Sequence, residues 1–169
     1  MIRDEINHVV LGMGVSYEGL FSLADLIIMV DSFFRKRGYT KHVMSHKEQT
    51  TKTGRTVSLR LRPFRPVKKN KLEVQARINI TDLKEVDQEI DGIKVRMNSG
   101  KISITVDGFV IENLRGDFDT KPTFIFITTL FNKFLFKQKS RDYAGMVKKD
   151  AVDFRNEIES FLHLNKYLY

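Results

Sequence analysis

Residues 71–80 read Lys-Leu-Glu-Val-Gln-Ala-Arg-Ile-Asn-Ile, and this stretch decides the fold. Polar and apolar side chains alternate over all ten positions, which is the period of a β-strand with one buried face. A shift of one residue would bury Glu73 and Arg77, so the pattern also fixes the register. The predicted inward residues are Leu72, Val74, Ala76, Ile78 and Ile80, and the predicted outward residues are Lys71, Glu73, Gln75, Arg77 and Asn79.

Strand patterns flank this stretch on both sides. Residues 57–61 alternate as well, and a less regular strand is predicted over 39–49. Further along, Asp91-Gly92 is the signal of a tight hairpin. Residues 98–100 predict another turn, and Asp107-Gly108 predicts a turn or a β-bulge. Because short loops join successive strands, we expect an antiparallel meander of about five to seven strands.

Helical spacing dominates the first part of the chain. A short strand over residues 6–11 is expected to end at Gly12. A helix is then predicted from about Tyr17 to Arg37, because apolar residues recur there at steps of three and four. Ser16 is its predicted N-cap.

Helical spacing returns near the end of the chain. Pro122 is typical of the first turn of a helix, and Ser140 is a second predicted N-cap. One long helix or two shorter ones are expected here, packed on one face of the sheet. The last apolar stripe consists of Ala144, Val147, Ala151, Phe154, Ile158 and Phe161. It predicts packing on the chain's own sheet, with a self-association seam as the alternative.

These patterns predict an α+β fold and a single domain over residues 1–169, since no linker or repeat interrupts them. The element order is similar to the helix-grip arrangement of START-like proteins, and this likeness implies a fold only. Residues 19–21, 37–39 and 161–164 resemble stretches of uncharacterised small archaeal proteins, a likeness that implies no activity.

Composition narrows the function classes. The chain has no cysteine, which excludes disulfides and thiolate chemistry and favours a cytoplasmic location. The first residues are charged and lack the apolar core of a signal peptide. The longest apolar stretch, 20–34, is short and carries Asp25 and Asp31, so no transmembrane segment is expected.

Known catalytic and cofactor patterns are missing from the sequence. Residues 12–14 lack the third glycine of a dinucleotide site, and no nucleophile elbow is found. His42 and His46 fall in a predicted strand, where a separation of four residues spans about 13 Å, too far for one metal ion. The acids of residues 82–91 lack the spacing of a calcium loop. We therefore expect no catalytic residues, no metal and no cofactor.

Positive charge is concentrated in one part of the chain. The net charge is +8, yet residues 35–71 hold 13 Lys and Arg against one acid, Glu48, which is net +12. Such a block is typical of a surface that binds phosphates. The candidate polyanion-binding residues are Arg35, Lys36, Arg37, Arg55, Arg60, Arg62, Arg65, Lys68, Lys69 and Lys71. Few aromatic residues lie within the block, so no base-stacking platform is predicted.

The leading hypothesis is a non-enzymatic binding module whose basic surface contacts RNA, DNA or a ribonucleoprotein. A solvated sheet face with no partner explains the same charges, and an anionic membrane surface is another partner of the same chemistry. One rival is a START-like carrier that holds an apolar small molecule in a cavity under the C-terminal helix, lined by some of the 13 phenylalanines. A second rival is a self-assembling structural protein that forms a homo-oligomer.

Overall fold

The computed structural model of the chain describes residues 5–90, 92–112 and 142–163. In chain order, the described elements are β1 (Glu5–Phe21), α1 (Leu23–Lys36), β2 (Val43–Thr50), β3 (Arg55–Leu61), β4 (Phe64–Val67), β5 (Asn70–Ile90), β6 (Ile93–Glu112) and α2 (142–163). The six strands form one antiparallel sheet in the order β1-β6-β5-β3-β2, with β4 also paired to β5. The predicted α+β class and antiparallel meander are confirmed.

Strand β5 is the centre of the sheet, and the register predicted for it is correct. Its five apolar residues, Leu72 to Ile80, are all buried. All five pair with β6 on one side, and three of them, Ala76, Ile78 and Ile80, pair with β3 on the other, as in Ile78 opposite Leu59 and Ile104. The strand is twice as long as predicted, because it continues to Ile90, which pairs with Ile93 at the start of β6.

Both helices pack on the face of the sheet that carries these apolar residues. In α2 the predicted stripe is confirmed, since Val147, Ala151, Phe154 and Ile158 are buried in the same core as the sheet residues. The Phe154 ring lies 5.0 Å from that of Phe33 and 4.6 Å from that of Phe34 (ring centroids), so the two helices share a core. The other two residues of the stripe, Ala144 and Phe161, are half-buried.

The predicted start of the first helix is wrong. Residues 12–21 continue β1 and pair with β6 as far as Phe21 opposite Asn98. The helix begins at Leu23, with the Ser22 Oγ accepting a hydrogen bond of 3.2 Å from the backbone N–H of Asp25. Pairing with a distant strand outweighs the local helical spacing here. The predicted end is close to the observed one, at Lys36 with Gly38 at φ +75°.

The glycines that were expected to end strands instead mark irregularities within long ones. Gly12, at φ +70°, lies where the β1–β6 register shifts between Val10 and Met13. The turn predicted at 98–100 is wrong, because β6 runs through it opposite a bulge at Asp82 of β5, which has φ +56°. Strand β6 also continues through Asp107-Gly108, so no turn forms there. The predicted alternative, a β-bulge, is confirmed, because the β1–β6 register shifts on both sides of Val10, which lies opposite Gly108.

Strand β2 begins at Val43, four residues later than the predicted strand, and most of its residues are exposed at the edge of the sheet. The helix predicted after Pro122 and the N-cap at Ser140 lie outside the described residues.

Candidate functional site

The side of the sheet that faces away from α1 and α2, called the outer face below, displays the polar residues that alternate with the core. Cross-strand pairing arranges them in rows. In one row Arg60 of β3 lies opposite Arg77 of β5, which lies opposite Thr105 of β6 and then Gly14 of β1. The next row consists of Ser58, Asn79, Ser103 and Ser16.

Arg60 and Arg77 are directly opposite each other, a placement that destabilises a sheet unless other groups compensate the like charges. Each guanidinium is held by a neighbour on the same face. Arg77 Nη2 donates to Asp107 Oδ2 at 2.8 Å, and Arg60 Nη2 donates to Gln75 Oε1 at 3.3 Å. The two arginines are therefore fixed in place, and only Arg77 gains a carboxylate.

Asp107 anchors this arrangement from inside the protein. The residue is only 4% exposed. Its Oδ1 accepts a 2.7 Å hydrogen bond from the backbone N–H of Gly12, and its Oδ2 also accepts one of 3.5 Å from Gln75 Nε2. A buried carboxylate is costly without such partners, and here they tie β1, β5 and β6 together.

A second carboxylate, Glu73, holds two more cations on the outer face. Arg62 Nε donates to Glu73 Oε1 at 2.6 Å, and Lys71 Nζ lies 3.2 Å from the other carboxylate oxygen. Glu73 is buried, whereas the side chains of Arg62 and Lys71 keep 32% and 41% of their surface exposed. Arg77 keeps 44%. The cations are therefore oriented by buried acids but remain open to solvent.

The charges of this cluster do not cancel. Four cations, Arg60, Arg62, Lys71 and Arg77, surround the two carboxylates of Glu73 and Asp107, which leaves two positive charges in excess. We call these six residues and Gln75 the outer-face cluster.

An open groove continues the outer face beyond Arg77. It has a volume of about 390 Å³, and its polar lining includes Ser16, Asn79, Thr81, Ser103 and an ion pair, in which Lys101 Nζ lies 3.6 Å from Glu18 Oε1. Asn79 Oδ1 accepts a hydrogen bond of 2.6 Å from Ser58 Oγ of the neighbouring strand. Hydroxyl, amide and ammonium groups of this kind are the ones proteins use to contact phosphate and sugar.

Aromatic side chains lie on the other side of the outer-face cluster. Phe64 of β4, Phe109 of β6 and His8 of β1 fall in one row with Glu73 of β5. The rings of His8 and Phe109 meet edge to face, with centroids 5.2 Å apart, and Lys71 Nζ lies 5.1 Å from the Phe64 centroid. His8 is exposed and both phenylalanines are half-buried. Aromatic residues from outside the block of residues 35–71 therefore lie beside its basic residues, a placement that depends on strand pairing.

The structure divides the ten predicted polyanion-binding residues between separate places. Arg60, Arg62 and Lys71 belong to the outer-face cluster. Lys68 and Lys69 are exposed in the β4–β5 turn, three and two residues from Lys71 respectively. Arg55 lies at the start of β3, 3.6 Å from Glu48 of β2.

The other four predicted residues lie on the helix side of the sheet. Arg65 pairs in register with buried Leu72, so it points away from the outer face. Arg65 Nη1 donates to the Arg37 carbonyl oxygen at 2.9 Å, and Arg65 Nη2 lies 3.6 Å from Asp150 of α2. Arg37 is 3.5 Å from Asp150 and 3.3 Å from Asp153. Arg35 and Lys36 are exposed in the last turn of α1.

Tyr39 completes this second cluster, which joins the end of α1 to β4 and α2. Its hydroxyl donates to Asp150 Oδ2 at 2.8 Å. Burial, together with that hydrogen bond, raises the pKa of the Tyr39 hydroxyl. With two arginines facing two carboxylates, the cluster is neutral and acts as a connection between elements.

The sequence analysis missed Arg77 and Asp107 as members of the site. Alternation placed Arg77 on the outward side of β5, but its position opposite Arg60 depends on strand pairing. Asp107 had been assigned to a turn or a bulge. An acid facing outward from a core strand, close in register to outward arginines, is the signal that would have found it.

The described interface between α2 and the sheet is closely packed. A Cβ placed on Gly108 of β6 would lie 2.7 Å from Val147 Cγ1 and 3.8 Å from the Ala151 Cβ. An open cleft of about 160 Å³ borders the other end of α2, where Arg155 and His163 face β1. Within residues 5–90, 92–112 and 142–163, no three His, Asp or Glu side chains converge as metal ligands.

None of the described helices is long and apolar enough to cross a membrane. Comparison of the chain with models of known protein families and with curated proteins finds no match in either.

Proposed function

We propose that this chain is a non-enzymatic module that binds nucleic acid through the outer face of its sheet. The observation that carries the proposal is the cross-strand pair of Arg60 and Arg77, two guanidinium groups held opposite each other by buried partners. Such a pair stores like-charge repulsion that a phosphate between the two groups would relieve. The two uncompensated positive charges of the outer-face cluster point to the same ligand chemistry.

The geometry of the outer-face cluster suits a phosphate group better than it suits a single carboxylate. Arginine donates through a planar fork that matches two phosphate oxygens, and it stays charged at any physiological pH. Asp107 and Gln75 already orient Arg77 and Arg60, so little side-chain entropy is lost when a phosphate binds. Arg62 and Lys71 extend the positive surface along the same face.

The groove beside Arg77 is the second part of the proposed interface. Its serine, threonine and asparagine side chains can contact sugars and phosphates, whereas the charge of Lys101 is paired with Glu18, whose carboxylate lies 3.6 Å away. Contacts of these kinds fix the position of a nucleic acid without reading its sequence. Weak sequence preference is therefore expected.

The test is the affinity of a labelled 20-nucleotide RNA for the wild-type chain and for the double variant Arg60→Gln, Arg77→Gln, measured by fluorescence anisotropy over a range of salt concentrations. Wild-type affinity should fall with salt with a log–log slope of about −2 to −3, as expected if three or four phosphates are contacted. The double variant should bind at least about tenfold more weakly and should lose about 1.4 from the slope, the value for two single-strand phosphate contacts.

The matched control is the double variant Arg35→Gln, Lys36→Gln. It removes the same two charges from an exposed site at the end of α1, away from the outer face, so binding should stay within about twofold of wild type. Equal losses in both double variants would show that net charge alone drives binding. Absence of binding by the wild-type chain at low salt would refute the proposed function.

A further inference from the structure

We propose that the nucleic acid is single-stranded, with a base stacked on the Phe109–His8 pair while its backbone follows the arginines. This inference rests on the proposed function and adds the class of nucleic acid. It depends on the row formed by Phe64, Phe109 and His8, called the aromatic row. The position of this row is an observation independent of the charges.

The aromatic row and the arginine row lie on the same face of the same strands. On β6, Phe109 is four residues from Thr105, which is opposite Arg77, so the two rows are about 13 Å apart. Asp107 lies between them and is buried, so it leaves the path between the rows open. A chain laid along β6 would pass from the groove at Ser103, over Arg77, to the ring of Phe109.

A cation also lies beside the rings. Lys71 lies above the Phe64 ring, and its ammonium also contacts Glu73, which separates Phe64 from Phe109 in the row. A base stacked on either ring would therefore have a phosphate-binding group within reach. Stacking on aromatic side chains beside a basic groove is the usual way to bind a single strand without sequence preference.

A duplex fits this face poorly. Its bases are paired and stacked inside the helix, so they cannot lie flat on Phe109. The outer-face cluster and the groove would act on the backbone of either form, whereas the row of Phe109 and His8 would act only on a single strand. The structure therefore predicts tighter binding of the single strand.

The experiment compares three probes at one salt concentration: a single-stranded 12-nucleotide DNA carrying 2-aminopurine, the duplex of the same sequence, and inorganic polyphosphate, which has no bases. The variants are Phe109→Leu and His8→Ala, with Phe161→Leu on α2 as the matched control. Wild type should bind the single strand at least about tenfold more tightly than the duplex, with quenching of 2-aminopurine fluorescence. Phe109→Leu should weaken single-strand binding by about 5- to 150-fold, the range for one stacked base.

The polyphosphate affinity of Phe109→Leu should stay within about twofold of wild type, because no stacking contributes to it. His8→Ala, at an exposed position, should show the same selective loss to a smaller degree, which keeps the test valid if Phe109→Leu folds poorly. Equal affinity for single strand and duplex, with no effect of either variant, would overturn this inference and leave the proposed function standing. Failure of all three probes to bind would overturn both.

Discussion

Asp107 is the residue on which the outer-face cluster depends most. It is buried, accepts hydrogen bonds from Gly12, Gln75 and Arg77, and lies in a strand whose neighbours on the inner side are core residues. Its role could not be read from the sequence, because Asp-Gly in a chain of short strands usually marks a turn. Only the pairing of β1 and β5 with β6 shows which donors the Asp107 carboxylate binds.

Asp107→Ala should lower the free energy of unfolding by about 2–3 kcal/mol, because the Gly12 N–H loses its acceptor and Arg77 loses the buried carboxylate that it pairs with. Thr105→Ala, two residues away on the same face, is the control and should change stability by less than about 0.5 kcal/mol. Urea denaturation of the two variants measures both values. Equal stability of the two variants would show that Asp107 is not an anchor.

The raised pKa of the Tyr39 hydroxyl predicts how the free energy of unfolding changes with pH in the alkaline range. Burial raises the pKa of its hydroxyl above the ordinary 10.0, and the hydrogen bond to Asp150 adds to the effect. The folded state therefore holds this proton more tightly than the unfolded state does. The resulting stabilisation is complete below pH 10 and is lost as the pH rises through the folded pKa.

We expect wild-type stability to fall above pH 10 more steeply than that of Tyr39→Phe, which has no proton to lose. At neutral pH the variant should be about 1 kcal/mol less stable, because it lacks one hydrogen bond. Denaturation at a series of pH values between 8 and 11 gives both comparisons. Parallel curves for the two proteins would contradict this account of Tyr39.

At the scale of elements, the sequence predicted correctly those features that depend on burial of one face of a strand or helix. The alternation in β5 and the stripe in α2 both arise from burial on one face, so both were readable from the sequence. The extension of β1 from residue 12 to Phe21 was not readable, because residues 17–21 have helical spacing and become a strand only through pairing with β6. Long-range pairing therefore explains the largest error.

The contact of α2 with β6 requires a glycine. A Cβ on Gly108 would be 2.7 Å from Val147 Cγ1, whereas one on Gly145 of α2 meets no atom within 4 Å. Gly108→Ala should therefore destabilise the protein by about 1–3 kcal/mol through overpacking. Gly145→Ala should stabilise it by about 0.5–1 kcal/mol, because alanine favours a helix. Thermal unfolding separates the two; a stabilising Gly108→Ala would show that α2 does not pack closely on β6.

At the scale of the whole molecule, the basic block of residues 35–71 is not one surface. Strand pairing sends Arg60, Arg62 and Lys71 to the outer face, while Arg37 and Arg65 turn to the helix side and are neutralised by Asp150 and Asp153. The outward direction of Arg60 and Arg62 was predictable from their spacing in a strand. The direction of Arg65 was not, because Pro63 separates it from that alternation and its partners come from the far end of the chain.

The central claim is that the outer face, and not the cluster on the helix side, binds nucleic acid. The most direct measurement is the NMR signal of each arginine Nε–Hε group during titration with a single-stranded 12-nucleotide DNA at low salt. The signals of Arg60, Arg62 and Arg77 should shift, and those of Arg37 and Arg65 should stay in place. Shifts confined to Arg35, Arg37 and Arg65, or no shift of any arginine, would contradict the claim.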